Sequence, residues 1–242
     1  MRISIVFALL VFLFPGQSVR AEEPLKVLFI GNSYTSFNNL PGLVAALAEA
    51  AGGRKIETAK HTPGGCTFQR HFEGKRAVEL IGQKKWDFVV LQEQSMMPVV
   101  YPKQMHQFAR KLHSEIEKRG AKTVFFLTWA RQHKPKMQDG LNEAYFGIAR
   151  ELGAAVAPVG PAWKNALAAD GKLALHRSDK SHPNAAGSYL AACVFYATLM
   201  QRSPVGLPAS PTRGSKTLMK LDPNTAAKLQ RIAWDTVRKA GR

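Results

Sequence analysis

The stretch KVLFIGN at residues 26–32 decides the fold class of this 242-residue chain. Residues 27–30 are all apolar, so both faces of the predicted strand are buried, which is typical of a parallel sheet covered by helices on both sides. The next segment, residues 39–53, has a proline near its start, apolar residues at helical spacing and Gly52-Gly53 at its end. This pattern predicts a helix, and a buried strand followed by a helix is the repeating unit of an α/β protein.

The same alternation continues along the chain. Further strands are predicted at residues 55–62, 87–94, 122–130 and 154–160. Helices are predicted at residues 72–85, 102–118, 141–152, 161–169, 184–201 and 222–239, and no repeat or interdomain linker interrupts them. We therefore predict a three-layer α/β/α sandwich with a five-stranded parallel sheet of flavodoxin-like type, forming a single domain over residues 22–242.

The amino terminus has the pattern of a secretory signal peptide. Arg2 precedes an apolar run at residues 3–14, and Val19-Arg20-Ala21 provides small residues at the two positions that signal peptidase recognises. The apolar run is shorter than the roughly 20 residues of a membrane helix. We therefore predict a signal peptide over residues 1–21, no membrane span, and a secreted or periplasmic mature protein.

The chain is strongly basic, with a formal net charge of +17 that falls by two when Arg2 and Arg20 leave with the signal peptide. For an exported protein, this charge favours an acidic polysaccharide, an anionic lipid or a cell-wall polymer over nucleic acid. The lysines and arginines are scattered without a run of five, so a merely solvated basic surface is the alternative. Cys66 and Cys193 need not form a disulfide in a domain of this size, and Cys193 is predicted to lie in the core.

Polar side chains and glycines follow each predicted strand. In parallel α/β sheets, ligands bind at the carboxyl ends of the strands, so these residues are expected to meet at one edge. The loop before the helix at residues 184–201 adds an aspartate and a histidine to the same edge. The residues concerned are Asn32-Ser33, Gly64-Gly65-Cys66, Gln92-Glu93-Gln94, Trp129-Ala130-Arg131, Asp179 and His182.

Ser33, Asp179 and His182 together have the chemistry of a nucleophile with its base. A serine hydroxyl becomes nucleophilic when a histidine accepts its proton and a carboxylate orients that histidine. Asp179 and His182 are three residues apart, which lets the carboxylate bend back to the imidazole Nδ1. Thr35 stands where the G-x-S-x-G motif has its second glycine, so the nucleophile elbow of that motif is absent. The alternative is that Ser33 caps a turn and that residues 179–182 form only a helix-entry turn.

Four motifs resemble those of the SGNH (GDSL-like) hydrolases: GNSYT at residues 31–35, GGCT at residues 64–67, LQEQS at residues 91–95 and DKSHPN at residues 179–184. The resemblance implies a flavodoxin-like fold and a serine hydrolase in which Ser33 is the nucleophile and Asp179 and His182 complete the triad. It implies no cofactor.

The resemblance also implies an oxyanion hole formed by the backbone N–H groups of Ser33 and Gly65 and by one side-chain amide. The family's usual asparagine after the third strand is replaced here, with Gln94 at the corresponding place and Gln92 as the competing choice. A glutamine amide donates the same hydrogen bond from one methylene further away. Asn32 stands where the family usually has an aspartate, and that residue is not a member of the triad.

Asn32, Gln92, Trp129 and Arg131 are predicted to bind substrate, since an aromatic surface and a fork of N–H donors suit a sugar or an acidic ester. His176, Asp179 and His182 recur at intervals of three as an alternative metal site, but HExxH and paired cysteines are absent from the sequence, so no metal is predicted.

These features together predict an exported serine esterase that hydrolyses short-chain, O-acetyl esters of a carbohydrate or cell-surface polymer. The alternatives are a non-catalytic glycan-binding protein of the same fold and a lipase or lysophospholipase-like enzyme.

Overall fold

The computed structural model describes residues 22–241, so the predicted signal peptide lies outside the described residues. The main sheet has five parallel strands in the order β2-β1-β3-β4-β5. They are β1 (Leu25–Ile30), β2 (Ile56–His61), β3 (Phe88–Leu91), β4 (Lys122–Phe126) and β5 (Ala155–Ala157). The predicted α/β sandwich with a five-stranded parallel sheet is confirmed.

Strand β1 lies inside the sheet and divides the core in two. Val27 and Phe29 belong to one buried hydrophobic cluster, whereas Leu28 and Ile30 belong to a second cluster on the opposite face. Because successive side chains of a strand point to opposite faces, a strand that is buried on both sides must be apolar at every position. This requirement explains the apolar run at residues 27–30.

Helices cover both faces of the sheet. The first cluster receives side chains from α2, α8, α9 and α10, and the second from α3, α4, α6 and α7. The helices are α1 (Ser33–Ser36), α2 (Leu40–Ala50), α3 (Phe68–Glu73), α4 (Arg76–Gln83), α5 (Met97–Val100), α6 (Pro102–Glu117), α7 (Met137–Leu152), α8 (Val159–Ala169), α9 (Ala185–Met200) and α10 (Pro223–Ala240). Within residues 22–241, no helix combines the length and the apolar composition needed to cross a bilayer.

Several boundaries differ from the sequence prediction. The helix predicted at residues 72–85 is two helices, α3 and α4, because Lys75 adopts a left-handed conformation with a φ of 60° between them. Strands β3 and β4 end at Leu91 and Phe126, so the residues predicted as their last turns are loops at the sheet edge. A short hairpin, β6 (Thr212–Arg213) with β7 (Lys216–Thr217), was not predicted.

The two cysteines are free and buried. Cys193 lies on α9, a helix whose residues are apolar on all sides and almost all buried, in agreement with the prediction that it is a core residue. Cys66 lies in the loop that follows β2, at the same edge of the sheet as Ser33.

Candidate active site

Ser33 is the first residue of α1, directly beyond the carboxyl end of β1. Asn32 caps this short helix, since its side-chain oxygen accepts a hydrogen bond from the backbone N–H of Tyr34 at 3.1 Å. Gly31 permits the close turn before it: a Cβ at that position would lie 2.5 Å from Thr35 Oγ1 and 2.6 Å from Gln92 Oε1. The sequence GNSYT therefore holds the Ser33 hydroxyl at the edge of the sheet.

Ser33, His182 and Asp179 form one continuous chain of hydrogen bonds. His182 Nε2 lies 2.8 Å from Ser33 Oγ, and His182 Nδ1 lies 2.6 Å from Asp179 Oδ2. A carboxylate can only accept, so Nδ1 carries the proton and Nε2 is left to accept the proton of the serine hydroxyl. The structure thus brings together the three residues that the sequence predicted as a triad, in the order that general-base activation of a serine requires.

Asp179 is held by its own turn. Its Oδ1 accepts from the backbone N–H groups of Ser181 and His182, each at 2.9 Å. Partial burial opposes ionisation of this carboxyl, but the two backbone bonds and the bond from the imidazole outweigh it and lower the pKa of Asp179 to about 2. Asp179 is therefore an anion at neutral pH, able to fix the tautomer of His182.

Two aromatic rings hold the His182 imidazole. Phe37 stacks on it with ring centroids 4.4 Å apart, and Tyr34 meets it edge-on at 5.4 Å. The Tyr34 hydroxyl is 2.6 Å from Ser181 Oγ, in the same loop as His182. Burial raises the pKa of Tyr34, so this phenol stays neutral. These two aromatic residues follow Ser33 in sequence, yet the sequence analysis assigned them no role.

The predicted oxyanion donors are free at this edge. The backbone N–H groups of Ser33 and Gly65, and Nε2 of Gln94, donate no hydrogen bond within the described part of the chain. The Gln94 side chain is fixed from its other end, since Oε1 accepts from the backbone N–H of Met96 at 2.7 Å. Gly65 has a φ of +62°, the left-handed conformation that glycine adopts without strain.

Asn32 and Gln92 bind neighbouring protein groups, contrary to the prediction that they bind substrate. Gln92 is fully buried, and its Oε1 accepts from Asn32 N–H at 2.9 Å and from Thr35 Oγ1 at 2.8 Å, while its Nε2 donates to the Glu93 carbonyl. Asn32 is also buried, and its Nδ2 donates to the Cys66 carbonyl at 3.1 Å. Both amides therefore tie strand ends together, which leaves Gln94 as the side-chain candidate for the oxyanion hole.

Trp129 is also placed differently from the prediction. Its ring stacks between Tyr34, at 4.7 Å, and Trp163, at 4.1 Å, and only 1% of the residue is exposed. Its Nε1 donates to the Ser181 carbonyl at 2.9 Å. Trp129 offers no open aromatic surface to a sugar; it supports Tyr34 and the loop that carries His182. Arg131, two residues further on, is partly exposed.

Glu93 is a feature of the site that the sequence analysis missed. It is 1% exposed, and its carboxylate accepts from the backbone N–H of Gln94 at 2.6 Å and from that of Phe68 at 3.1 Å. Burial raises the pKa of Glu93 to about 7, although the bonds from Gln94 and Phe68 act in the opposite direction. Glu93 joins the Gln94 segment to the start of α3, which follows the Gly65 loop.

His71 fixes the same region from α3. Its Nε2 donates to the Gly31 carbonyl at 2.8 Å, and burial lowers the pKa of His71 to about 4, so the ring is neutral at physiological pH. The sequence analysis treated His71 as an ordinary loop residue. It instead connects α3 to the turn that carries Ser33.

The alternative metal ligands are engaged elsewhere. His176 Nε2 donates to the Ala130 carbonyl at 3.0 Å, and Asp179 and His182 bind each other. No group of three or more potential metal ligands occurs within residues 22–241. The largest groove described, of about 820 Å³, lies between α4 and α6 and includes none of the predicted site residues.

Comparison with solved structures identifies the fold. The chain superposes on a DUF4886 family protein from Bacteroides uniformis with a TM-score of 0.76 and 21% identity, over 91% of this chain and 97% of that one. It superposes on a candidate SGNH hydrolase from Slackia heliotrinireducens with a TM-score of 0.64 and 28% identity, over 73% of this chain and 100% of that one. The chain has the SGNH hydrolase fold. The predicted resemblance to the SGNH (GDSL-like) hydrolases is thereby confirmed.

A third SGNH-like neighbour has a named activity. Axe2, an acetylxylan esterase from Geobacillus stearothermophilus, superposes with a TM-score of 0.58 and 17% identity, over 77% of this chain and 96% of that one. No protein-family model and no curated protein matches the sequence. The likeness therefore rests on three-dimensional structure.

Proposed function

We propose that this protein is an exported serine esterase that removes short acyl groups, O-acetyl groups above all, from a carbohydrate or cell-surface polymer. The observation that supports it most is the hydrogen-bond chain from Ser33 Oγ through His182 to Asp179, at 2.8 and 2.6 Å. The esterases among the structural neighbours support ester hydrolysis as the reaction.

The proposed first step forms an acyl-enzyme. Ser33 Oγ attacks the ester carbonyl carbon while His182 Nε2 takes the hydroxyl proton, and the carbonyl oxygen becomes an oxyanion. The N–H groups of Ser33, Gly65 and Gln94 stabilise this oxyanion. When the tetrahedral intermediate collapses, the bond to the alcohol oxygen breaks and His182 gives its proton to the leaving alcohol.

The second step regenerates the enzyme by the same route. Water takes the place of the alcohol, His182 accepts one of its protons, and the resulting hydroxide attacks the acyl carbon. Collapse of the second intermediate releases the carboxylic acid and returns the proton to Ser33 Oγ. Asp179 remains ionised throughout and stabilises the imidazolium that forms twice in each cycle.

The acyl-chain preference is tested with p-nitrophenyl esters from acetate to palmitate, run beside acetylated xylan and other acetylated glycans. We expect acetate to give the highest kcat/KM and acetate release from at least one glycan. Ser33→Ala is the control for uncatalysed hydrolysis. Faster turnover of palmitate than of acetate would favour a lipase, and binding of glycans without any hydrolysis would favour a non-catalytic module.

A further inference from the structure

Arg131 lies between the two sides of the proposed ester site. Its Nη2 donates to Ser95 Oγ at 3.2 Å, and Ser95 follows Gln94 directly. The next residue, Gln132, donates its backbone N–H to the Lys180 carbonyl at 2.9 Å, in the loop of Asp179 and His182. The guanidinium is thus anchored to the segment of the predicted oxyanion donor, and the backbone beside it is anchored to the segment of the base.

The charge of Arg131 has no carboxylate partner within residues 22–241. Asp179 is occupied by His182 and backbone N–H groups, and Glu93 by Phe68 and Gln94. A guanidinium is always charged and carries five N–H donors in a planar fork. To hold such a group partly buried without a counter-ion is costly, and an anionic ligand would offset that cost.

A cavity of about 160 Å³ opens beside Arg131 and has no acidic residue in its lining. Trp163, Leu167 and Pro135 give it apolar walls, and Lys164 adds a second cation. Arg131 Nε and Trp163 Nε1, which both belong to lining residues, are enclosed N–H groups without an acceptor. Buried donors are normally satisfied, so two orphan donors at one cavity indicate that an acceptor-rich group belongs there.

We propose that Arg131 and this cavity bind a carboxylate on the substrate, so that the preferred ester is an acidic one, such as an acylated sugar that carries a uronic acid. The planar guanidinium matches the two oxygens of a carboxylate, and the apolar walls accommodate the ring that bears it. Arg177 and Lys180 in the base loop give the approach the same sign of charge. The inference deepens the proposed function and rests on it, because Arg131 is argued to select among esters.

The test compares matched esters that differ in charge alone: 4-acetoxybenzoate against its methyl ester, with 4-acetoxyphenyl phosphate as the arm that separates a carboxylate from a phosphate. The readout is the ratio of kcat/KM for the acid to that for its methyl ester. We expect a ratio of about 10, carried by KM, that falls towards 1 in Arg131→Gln. Arg131→Lys keeps the charge without the fork and should retain part of the preference.

Lys134→Gln is the matched control, since it removes one positive charge from the same loop at an exposed position. It should leave the ratio unchanged. A wild-type ratio of 1 or less, an equal loss in Lys134→Gln, or a preference for the phosphate over the carboxylate would overturn the inference while leaving ester hydrolysis standing. Absence of turnover with both esters would instead count against the proposed function.

Inhibition of the wild-type protein provides a measurement that needs no variant. We expect 4-hydroxybenzoate to inhibit hydrolysis of p-nitrophenyl acetate competitively, and more strongly than methyl 4-hydroxybenzoate does. The advantage of the acid should shrink as salt is raised, because partly exposed charges are screened. Equal inhibition by the two compounds contradicts the proposed carboxylate site.

Discussion

The base side and the oxyanion side of the candidate site differ in where their residues come from and in how they are held. On the base side, Asp179 and His182 are three residues apart, and the turn between them satisfies the carboxylate with its own N–H groups. Asp179 is largely exposed to solvent. On the oxyanion side, Gly65 and Gln94 follow different strands, and buried side chains connect their segments.

This difference predicts separate consequences for mutation. The base side is a local turn whose exposed carboxylate does little packing, so changes there should affect the rate and leave the fold intact. The oxyanion side depends on the buried Gln92 and Glu93, which bind segments far apart in sequence. Changes to those two residues should therefore affect stability as well as the rate.

The largest expected effect among the supporting residues is on the base side. Asp179→Asn should lower kcat by about 10⁴-fold, because an amide neither holds the Nδ1–H tautomer nor stabilises the imidazolium. The midpoint of urea unfolding at pH 7 should change little, since the side chain is exposed. A variant that keeps most of its activity, or one that unfolds readily, would contradict the description of this loop as catalytic and local.

A smaller loss is expected at the side-chain oxyanion donor. Gln94→Ala should lower kcat by on the order of 10²–10³, and Gln94→Glu, which has the same shape without N–H donors, should lose at least as much. Gln92→Ala should instead lower the urea midpoint, because it leaves buried Asn32 and Thr35 donors without an acceptor. The reverse pattern, with a stable and inactive Gln92→Ala, would assign the donor role to Gln92.

The smallest expected effect concerns stability and pH at Glu93. Its pKa is about 7 in the folded protein against 4.5 for the free group. The native state therefore binds this proton more tightly than the unfolded chain does, and its contribution to stability, complete below pH 4.5, is lost as pH rises through 7. The unfolding free energy of the wild type relative to Glu93→Gln should fall between pH 4.5 and 7.5 by on the order of 3 kcal/mol.

Urea unfolding of both proteins across that range measures the difference directly, and other titrating groups cancel in the subtraction. A difference that is constant with pH would mean that Glu93 does not titrate in this window. A difference that rises with pH would mean that the N–H groups of Phe68 and Gln94 outweigh burial and keep the carboxylate ionised.

The sequence predicted those parts of the structure that depend on local pattern. The apolar run of β1 and the helical spacing after it gave the layers, and the spacing of Asp179 and His182 gave the base turn. Trp129 was misplaced because its packing between Tyr34 and Trp163 depends on residues from other elements. Glu93 was missed for the same reason: its role lies in contacts with Phe68 that no sequence pattern encodes.

The break between α3 and α4 has a local cause that composition did not reveal. The residue at the break is Lys75, in a left-handed conformation, and the glycine beside it has ordinary helical angles. Glycine is the usual marker of such a position, so a lysine there gives no signal in the sequence.

The most direct test of the central claim is to locate the adduct of a serine-directed phosphonate. The mature protein is inhibited with the reagent, its intact mass is measured, and the modified peptide is mapped. The account predicts one adduct, on Ser33, formed in proportion to the loss of esterase activity and absent from a folded Ser33→Ala variant that no longer turns over acetate esters. An adduct on another residue, or wild-type turnover by Ser33→Ala, would contradict it.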